Sequence, residues 1–393
     1  MTNILIAGYY GLDNIGDEAI LAGMINSLKK YIPRANISVF TNDANVTNNL
    51  HNVHTVEQSF KKGIPTFFKN GILNGEFSKI YKAIDNCDIF ILGGGSLLQD
   101  LKFYYLPALY SLLSLAHIKG KITVVYGIGA GPIDTRLGKL LSKIILNNTD
   151  LVTVRDSMSK TVLDNCGVNN VIQTVDPAFG IDIPNENEIE LAISNEKKSN
   201  KNVVSATLYN WLHDSDLFSN PTKESLDLKF RRQCAANIYN RIIDEYAVDF
   251  IFIPTVKNDF EGYKEINKLI SSNEGSSVKE YRNNFLHIFS LISMSDVLVG
   301  MRLHSMIIAT IMGVPFVPVS YCGKVKSYLE LLDMSDFCLD VENIVESDFE
   351  DDLLNNFEKI FSNKEYYSNL LLSKAKKYRS IALENAKMVS QLI

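Results

Sequence analysis

The chain has 393 residues, 46% of them hydrophobic, with 39 Lys and Arg against 45 Asp and Glu for a formal net charge of -6. That length fits two domains, each able to bury a full core, and the composition excludes disordered, collagen-like and disulfide-stapled chains. An acidic balance gives no general basic face for a phosphate backbone, so no nucleic acid is expected as a partner.

Residues 3–7 (NILIA) predict a buried strand running into the glycine-containing turn 8–18 (GYYGLDNIGDE). Ile20, Leu21, Met24, Ile25 and Leu28 then recur at helical spacing. Short apolar runs at 36–40, 88–92, 121–126 and 151–154 predict further strands, with helical stretches at 105–117 and 137–147. Buried strands alternating with helices imply a parallel sheet covered on both faces. The polar stretch 181–202 is rich in Asn, Glu and Lys and reads as a linker or a domain-edge loop. Beyond it the alternation restarts, with strands at 203–207, 249–253, 296–299 and 315–319 and helices at 229–246 and 303–312. From 350 onward the chain reads as helical, with Leu353, Leu354, Phe357, Ile360 and Phe361 on one stripe. The expected fold class is α/β, with two Rossmann-like domains (1–184 and 200–350) facing a cleft. A helical tail (351–393) is expected to pack back across them.

In open α/β sheets, ligands sit beyond the carboxyl ends of the strands, so the informative residues follow strands. The turn 8–18 lacks strict G-x-G-x-x-G spacing, which argues against a dinucleotide site. Gly8, Tyr9, Tyr10 and Asn14 are its candidate ligand contacts, since glycines let backbone N–H groups approach a ligand. Asp17 and Glu18 have two readings: they complement a helix dipole, or they hold sugar hydroxyls. Residues 93–100 (GGGSLLQD) offer Gly94, Gly95, Ser96 and Asp100 as a binding loop, with tight strand–helix packing as the alternative. Residues 127–131 (GIGAG) are a weaker instance. Arg155 ends the strand 151–154; it reads either as a surface ion pair or as a guanidinium fork for a carboxylate or phosphate.

Residues 300–305 (GMRLHS) carry the sharpest signal. Arg302, His304 and Ser305 fall where a strand's carboxyl end meets a helix N-terminus, so a cation, a donor nitrogen and backbone N–H groups can converge on one anion. Lys324 in 320–325 (SYCGKV) follows the next strand, which makes a cationic pocket for a phosphate or carboxylate.

Cys87, Cys166, Cys234, Cys322 and Cys338 are widely spread with no C-x-x-C pair, against both zinc and a disulfide framework. No acidic cluster has metal-ligand spacing, so no metal and no cofactor is expected. The N-terminus lacks a basic n-region, and no run of ~20 apolar residues exists to span a bilayer; a cytoplasmic location is expected. Residues 60–82 interleave Phe67, Phe68, Leu73 and Phe77 with five lysines and one glutamate. They read as a peripheral membrane contact or as helices packed on the sheet.

Taken in order, GYYGLDNIGDEAIL, GGGSLLQD, VTVRD, DPAF (176–179), GMRLHS and YCGKV resemble the bacterial polysaccharide pyruvyl transferases, closest to the CsaB type, over about residues 4–330. The resemblance implies a GT-B-like fold and transfer of pyruvate from phosphoenolpyruvate as a 4,6-ketal. The implied acceptor is a lipid-linked N-acetylmannosamine of a secondary cell-wall polymer, the kind that anchors an S-layer. It implies Arg302, Lys324 and Arg155 as binders of the donor's carboxylate and phosphate, and His304 as general acid/base. Asp17 or Glu18 is the candidate base on a sugar hydroxyl. The chain departs from the family pattern at Cys322-Gly323, where Asp-Pro is usual, and at 205–211 (SATLYNW), which lacks an arginine before Trp211. A nucleotide-sugar glycosyltransferase of the same two-domain plan is the alternative; Glu261 and Glu265 are its modest ribose-binding candidates. A non-catalytic binding protein would require Arg302, His304 or Lys324 to be lost. Oligomeric state stays open.

Overall fold

The computed structural model describes residues 1–58, 75–101, 105–194, 200–208, 224–271 and 275–393, the side chains of 224–228 excepted. Contacts divide the chain into two units, Met1–Asp182 with Lys377–Ile393, and Ile183–Lys376.

The first unit runs β1 (Asn3–Ala7), α1 (Ile15–Tyr31), β2 (Asn36–Thr41), α2 (Ala44–His51), β3 (His54–Glu57), α3 (Glu76–Asn86) and β4 (Ile89–Gly93). It continues with α4 (Tyr105–Ile118), β5 (Ile122–Ile128), α5 (Arg136–Leu146), β6 (Leu151–Val154), α6 (Ser157–Asn165) and β7 (Val171–Gln173). Its seven strands lie in the order β3-β2-β1-β4-β5-β6-β7, and each neighbouring pair is parallel. The central strands NILIA and IFILG are apolar almost throughout because helices cover both faces. Leu5, Phe40, Phe90, Leu92, Leu113, Val125 and Val154 form one buried cluster against α3 and α4. Each such side chain contributes roughly 1.5–3 kcal/mol by leaving water.

The second unit holds α7 (Glu186–Ala192), β8 (Val203–Thr207), α8 (Glu224–Tyr246), β9 (Asp249–Phe252), α9 (Asp259–Leu269), β10 (Ser276–Val278) and α10 (Phe285–Ser293). Then come β11 (Val297–Gly300), α11 (Leu303–Met312), β12 (Phe316–Ser320), α12 (Gly323–Leu332), β13 (Leu339–Asp340) and α13 (Phe349–Ser362). Six strands form a second parallel sheet, β10-β9-β8-β11-β12-β13. The last helix, α14 (Lys364–Ser390), begins in this unit, where Lys374 pairs with Asp333. From Lys377 it belongs to the first unit. There Tyr378 packs on Phe179 with ring centroids 5.4 Å apart, and Thr174 Oγ1 donates to Asn385 Oδ1 at 3.2 Å. Among the described residues, no helix is long and apolar enough to cross a membrane.

The long central strands fall within a residue or two of their apolar runs. The strands absent from the sequence reading, β3, β7, β10 and β13, are two to four residues long. They lie at or near sheet edges, where solvent permits polar residues and no apolar run marks them.

Candidate functional site

In each sheet the chain order reverses once, between β1 and β4 in the first unit and between β8 and β11 in the second. Helices leave such a point in opposite directions, and the loops beyond the two strands open a space for a ligand. The candidate residues after β1, β4 and β11 sit on these loops, whereas Arg155 follows β6 and Lys324 follows β12.

In the first unit, the turn after β1 is braced from beneath. The Tyr10 ring is buried and its hydroxyl donates to Gly93 O at 2.6 Å. A Cβ on Gly8 would lie 2.5 Å from that ring. Burial, with Asp17, Glu18 and Asp176 nearby, pushes the Tyr10 phenol well above its ordinary range, so it stays neutral. Glu18 is fully buried: it accepts from Gly11 N at 2.8 Å and meets His51 Nε2 at 2.7 Å. Asn14 caps α1 by accepting from Gly16 N at 3.1 Å and donates to Asp17 Oδ2 at 2.6 Å.

The glycine run after β4 divides by role. Cβ atoms on Gly93 and Gly94 would strike Met24 and Ile20 of α1 at 2.3 and 2.0 Å, so these two glycines serve packing. Gly94 and Gly95 both have positive φ, 72° and 66°, which a side chain resists. A Cβ on Gly95 would instead face Asp17 Oδ1 at 3.2 Å. Tyr9 and Tyr105 border the same carboxylate. Both phenols are raised, by burial first; the Asp17 charge comes next for Tyr9, and Tyr9 and then Asp17 for Tyr105. Asp17, Gly95, Tyr9, Asn14 and Tyr105 thus form one polar rim suited to hydroxyl groups.

Arg155, expected to hold a donor carboxylate or phosphate, is enclosed within the first unit. Its Nη1 donates to Asp176 at 2.9 Å, Nε to Asp156 at 3.3 Å and Nη2 to Ser96 Oγ at 2.9 Å. Burial alone would weaken its charge; the two carboxylates more than offset that and raise its pKa. Each carboxylate uses its other oxygen to cap a helix, Asp156 on Ser159 N at 2.7 Å and Asp176 on Ala178 N at 3.0 Å. Gly129 leaves the room this requires, since a Cβ there would be 2.8 Å from Ser96 Oγ. Asp100 is likewise engaged, accepting from Thr135 N at 2.8 Å, Thr135 Oγ1 at 2.6 Å and Asp134 N at 3.1 Å. Partial burial opposes its ionisation, but those bonds outweigh it and hold the carboxyl below the usual range.

In the second unit, Gly300 pairs with Thr207 across β11 and β8, and Arg302 lies two residues on. Its Nη2 donates to Asp259, which is fully buried, and its Nε to Leu208 O at 3.1 Å. Asp259 Oδ2 accepts from Thr255 N, Thr255 Oγ1 and Val256 N, each at 3.1 Å. The Tyr263 hydroxyl donates to Leu208 O at 2.7 Å and accepts from Leu208 N at 2.7 Å, pinning the end of β8. Burial works against the Arg302 charge, but Asp259, with smaller contributions from Tyr263 and Tyr321, raises its pKa overall. Ser305 is buried; its Oγ lies 2.5 Å from Thr207 Oγ1 and donates to Arg302 O at 2.6 Å. It stitches α11 to β8 and faces no solvent.

His304 stands half-buried in the first turn of α11, and Lys324 half-buried in the first turn of α12. These helices follow β11 and β12, which are paired neighbours, so both N-termini emerge at one end of the sheet. Helices α1, α2, α5, α6, α7 and α10 each begin on an Asn, Asp or Thr whose side chain accepts from the first turn. Helices α11 and α12 begin on Arg302 and Cys322 with no side-chain cap bond, and α3, α9 and α13 also begin without one. Cys322 at this position provides no carboxylate to consume the N–H groups of α12. Arg302 and Lys324 thus lie at the starts of two helices that follow neighbouring strands, and helix N-termini carry partial positive charge.

Sequence reasoning singled out Arg302, His304, Asp17 and Gly95, which the structure sets just past the switch-point strands, and Lys324, which follows the neighbouring strand β12. It missed Asp259, Tyr263 and Tyr105, and the bond from Glu18 to His51. The first two lie on a helix whose surface reads as ordinary, and their partners are dozens of residues away. Trp211 and most of 60–82, including Lys61, Lys62, Lys69, Phe67, Phe68 and Leu73, lie outside the described residues. Glu261 and Glu265, the ribose candidates, pair with Lys264 and Lys268 on the outer face of α9. Among the described residues, no group of three or more His, Cys, Asp or Glu side chains is placed to hold a metal ion.

Comparison with known proteins adds to this geometry. The family model for polysaccharide pyruvyl transferase matches residues 14–323. The amylovoran biosynthesis protein AmsJ of Erwinia amylovora is 23% identical over 405 residues, covering 91% of this chain and 93% of that protein. Among solved structures, the UDP-GlcNAc 2-epimerase of Methanocaldococcus jannaschii matches with a TM-score of 0.60 and 14% identity, covering 91% of this chain and 92% of that one. The E. coli ADP-heptose LPS heptosyltransferase II matches with a TM-score of 0.54 and 10% identity, over 93% of this chain and 100% of that one. At such identities these structures speak to the fold alone, two parallel-sheet α/β units of the GT-B-like kind.

Proposed function

The chain belongs to the polysaccharide pyruvyl transferase family, and from that premise we propose that it moves pyruvate from phosphoenolpyruvate onto a sugar as a 4,6-ketal, releasing phosphate. The proposed acceptor is a lipid-linked saccharide, with N-acetylmannosamine of a cell-wall polymer precursor as the first sugar to test. The observation that carries this reading is the pair of uncapped helix N-termini at neighbouring strand ends, furnished with Arg302, His304 and Lys324.

The donor carries a carboxylate and a phosphate. In this reading Lys324, Arg302 and the two helix N-termini hold them by charge-assisted hydrogen bonds. Asp259 and Leu208 O fix the guanidinium before substrate arrives, so its orientation costs nothing at the moment of reaction. His304 delivers a proton to the methylene carbon, making it a methyl group and leaving positive charge on the adjoining carbon and its oxygen. An imidazole suits this because it exchanges protons near neutral pH. One sugar hydroxyl adds to that carbon and loses its proton to a base. The carbon–oxygen bond to phosphate then breaks, and the second hydroxyl closes the ring. One proton enters at carbon, two leave the hydroxyls, and phosphate departs as the hydrogen phosphate dianion, which balances the reaction.

Glu18 and Arg155 are positioning residues in this scheme. Glu18 locks the turn that carries Asp17 onto His51, and Arg155 holds Ser96 beside Gly95. The test is phosphate release from phosphoenolpyruvate with and without a lipid-linked N-acetylmannosaminyl disaccharide, read with product mass. Acceptor-dependent release with the mass gain of a pyruvyl ketal is expected. Release of phosphate without a ketal product, or ketal formation that survives His304→Ala undiminished, would overturn the mechanism.

A further inference from the structure

The outer face of α5 is unlike a solvated helix surface. Gly138, Ser142 and Leu146 turn into the fold, with Ser142 Oγ 2.7 Å from the Tyr110 hydroxyl. Leu137, Leu140 and Ile144 stand on the outside, 56%, 54% and 51% exposed. Their spacing of three and four places them in one row. Arg136, Lys139 and Lys143 are exposed as well, and at 3.6 residues per turn they form an adjoining row. Leu141 and Ile145, partly buried, close the other side of the aliphatic row. The helix contains no acidic residue, in a chain whose net charge is -6. Single exposed leucines are ordinary. A row of three large aliphatics alongside a row of three cations is the layout of a helix lying in the interface of an anionic bilayer.

The helix is also tied to the rim around Asp17. Asp100 clamps Thr135, its N-cap, and Gly129 N donates to Gly95 O at 2.8 Å. Leu98 and Ala130 form a parallel bridge between the same two loops. A surface that holds α5 therefore fixes the loop bearing Gly95 with little freedom between them.

We propose that α5 docks the first unit onto an anionic lipid surface, and that in doing so it presents the Asp17 rim to an acceptor carried by that surface. The second clause rests on the lipid-linked acceptor proposed above; the docking itself does not. The complementary charge names lipid as its occupant, with a second copy of the chain the competing outcome.

The experiment is co-sedimentation of the full chain with vesicles of phosphatidylcholine alone and of phosphatidylcholine mixed with phosphatidylglycerol, over a range of salt. Wild type is expected to pellet with the anionic vesicles only, and less so as salt rises. Arg136→Glu/Lys139→Glu/Lys143→Glu is expected to weaken binding on the order of a hundredfold. Leu137→Gln/Leu140→Gln/Ile144→Gln should weaken it roughly tenfold or more. All six side chains are exposed, so both variants should keep the wild-type melting temperature. Turnover of a short, lipid-free acceptor should be unchanged in both, while turnover of the lipid-linked one falls. Failure of wild type to bind anionic vesicles, or equal binding by both variants, would overturn the docking. A dimer in sedimentation velocity that the aliphatic variant converts to monomer would do the same, by assigning the face to a second copy. If vesicle binding follows expectation while no acceptor is turned over, the docking stands and the pyruvyl-transfer reading falls.

Discussion

Past the strand ends of the first unit, Arg155 is answered by Asp156 and Asp176, Glu18 by His51 and the Gly11 amide, and α1 by its own cap, Asn14. Past those of the second unit, α11 and α12 start without side-chain caps, and Arg302 keeps part of its side chain in solvent while Asp259 beneath it is fully buried. Both sheets reverse chain order once. The difference teaches that charge near a strand end fixes backbone in the first unit, whereas in the second unit two helix N-termini lack side-chain caps and the arginine keeps some access to solvent. Residue type alone does not distinguish them, because both contain an arginine just past a buried strand.

This contrast can be broken by substitution. The largest effect is expected for Asp176→Ala, which leaves Arg155 buried with one partner fewer. Unfolding by denaturant should show a loss of about 3–5 kcal/mol, as when one member of a buried ion network is removed. A loss confined to donor affinity, with stability intact, would move Arg155 back to the substrate. His304→Ala should do the opposite. Turnover should fall about 10²–10⁴-fold, the usual worth of a general acid, with the melting temperature unchanged. A smaller stability effect is expected for Glu18→Gln. Weakening the buried contact to His51 should cost about 1–3 kcal/mol, and the acceptor KM should rise more than the donor KM as the Asp17 turn loosens.

The smallest effect is expected at Asp100. Its folded pKa is depressed, so its stabilisation is complete above the unfolded value near ~3.9 and is lost as pH falls through the folded value. Because the carboxylate is partly in solvent, Asp100→Asn should cost about 1 kcal/mol or less at neutral pH. The gap between the two proteins should close in acid. A gap that widened on acidification would show that the bonds to Thr135 and Asp134 do not favour the ionised form.

Much of the fold was legible because parallel strands buried on both faces must be apolar throughout. NILIA, LVTV and VVSAT announce themselves, whereas VIQ and LD do not. The contacts divide the chain between Asp182 and Ile183, where a polar stretch breaks the apolar pattern. The site was legible where chemistry is local: Arg302, His304 and Lys324 are placed by the strand just before them. It was illegible where one side chain depends on another far along the chain. Nothing near Arg155 in sequence tells that Asp176 will neutralise it from 21 residues away. Likewise nothing near Arg302 points to Asp259, 43 residues earlier. The three consecutive glycines were ambiguous for a related reason. Gly93 and Gly94 are required by Met24 and Ile20, which reach the strand only after α1 has folded back.

The central claim is that the uncapped N-termini of α11 and α12, with Arg302 and Lys324, hold the anionic donor. Calorimetric titration of phosphoenolpyruvate into wild type and Lys324→Met, with uridine diphosphate as the comparison ligand, tests it most directly. Saturable binding of phosphoenolpyruvate, weakened at least tenfold in Lys324→Met and stronger than that of the nucleotide, is the predicted result. Binding of uridine diphosphate without binding of phosphoenolpyruvate would contradict it and turn the reading toward a nucleotide-sugar glycosyltransferase.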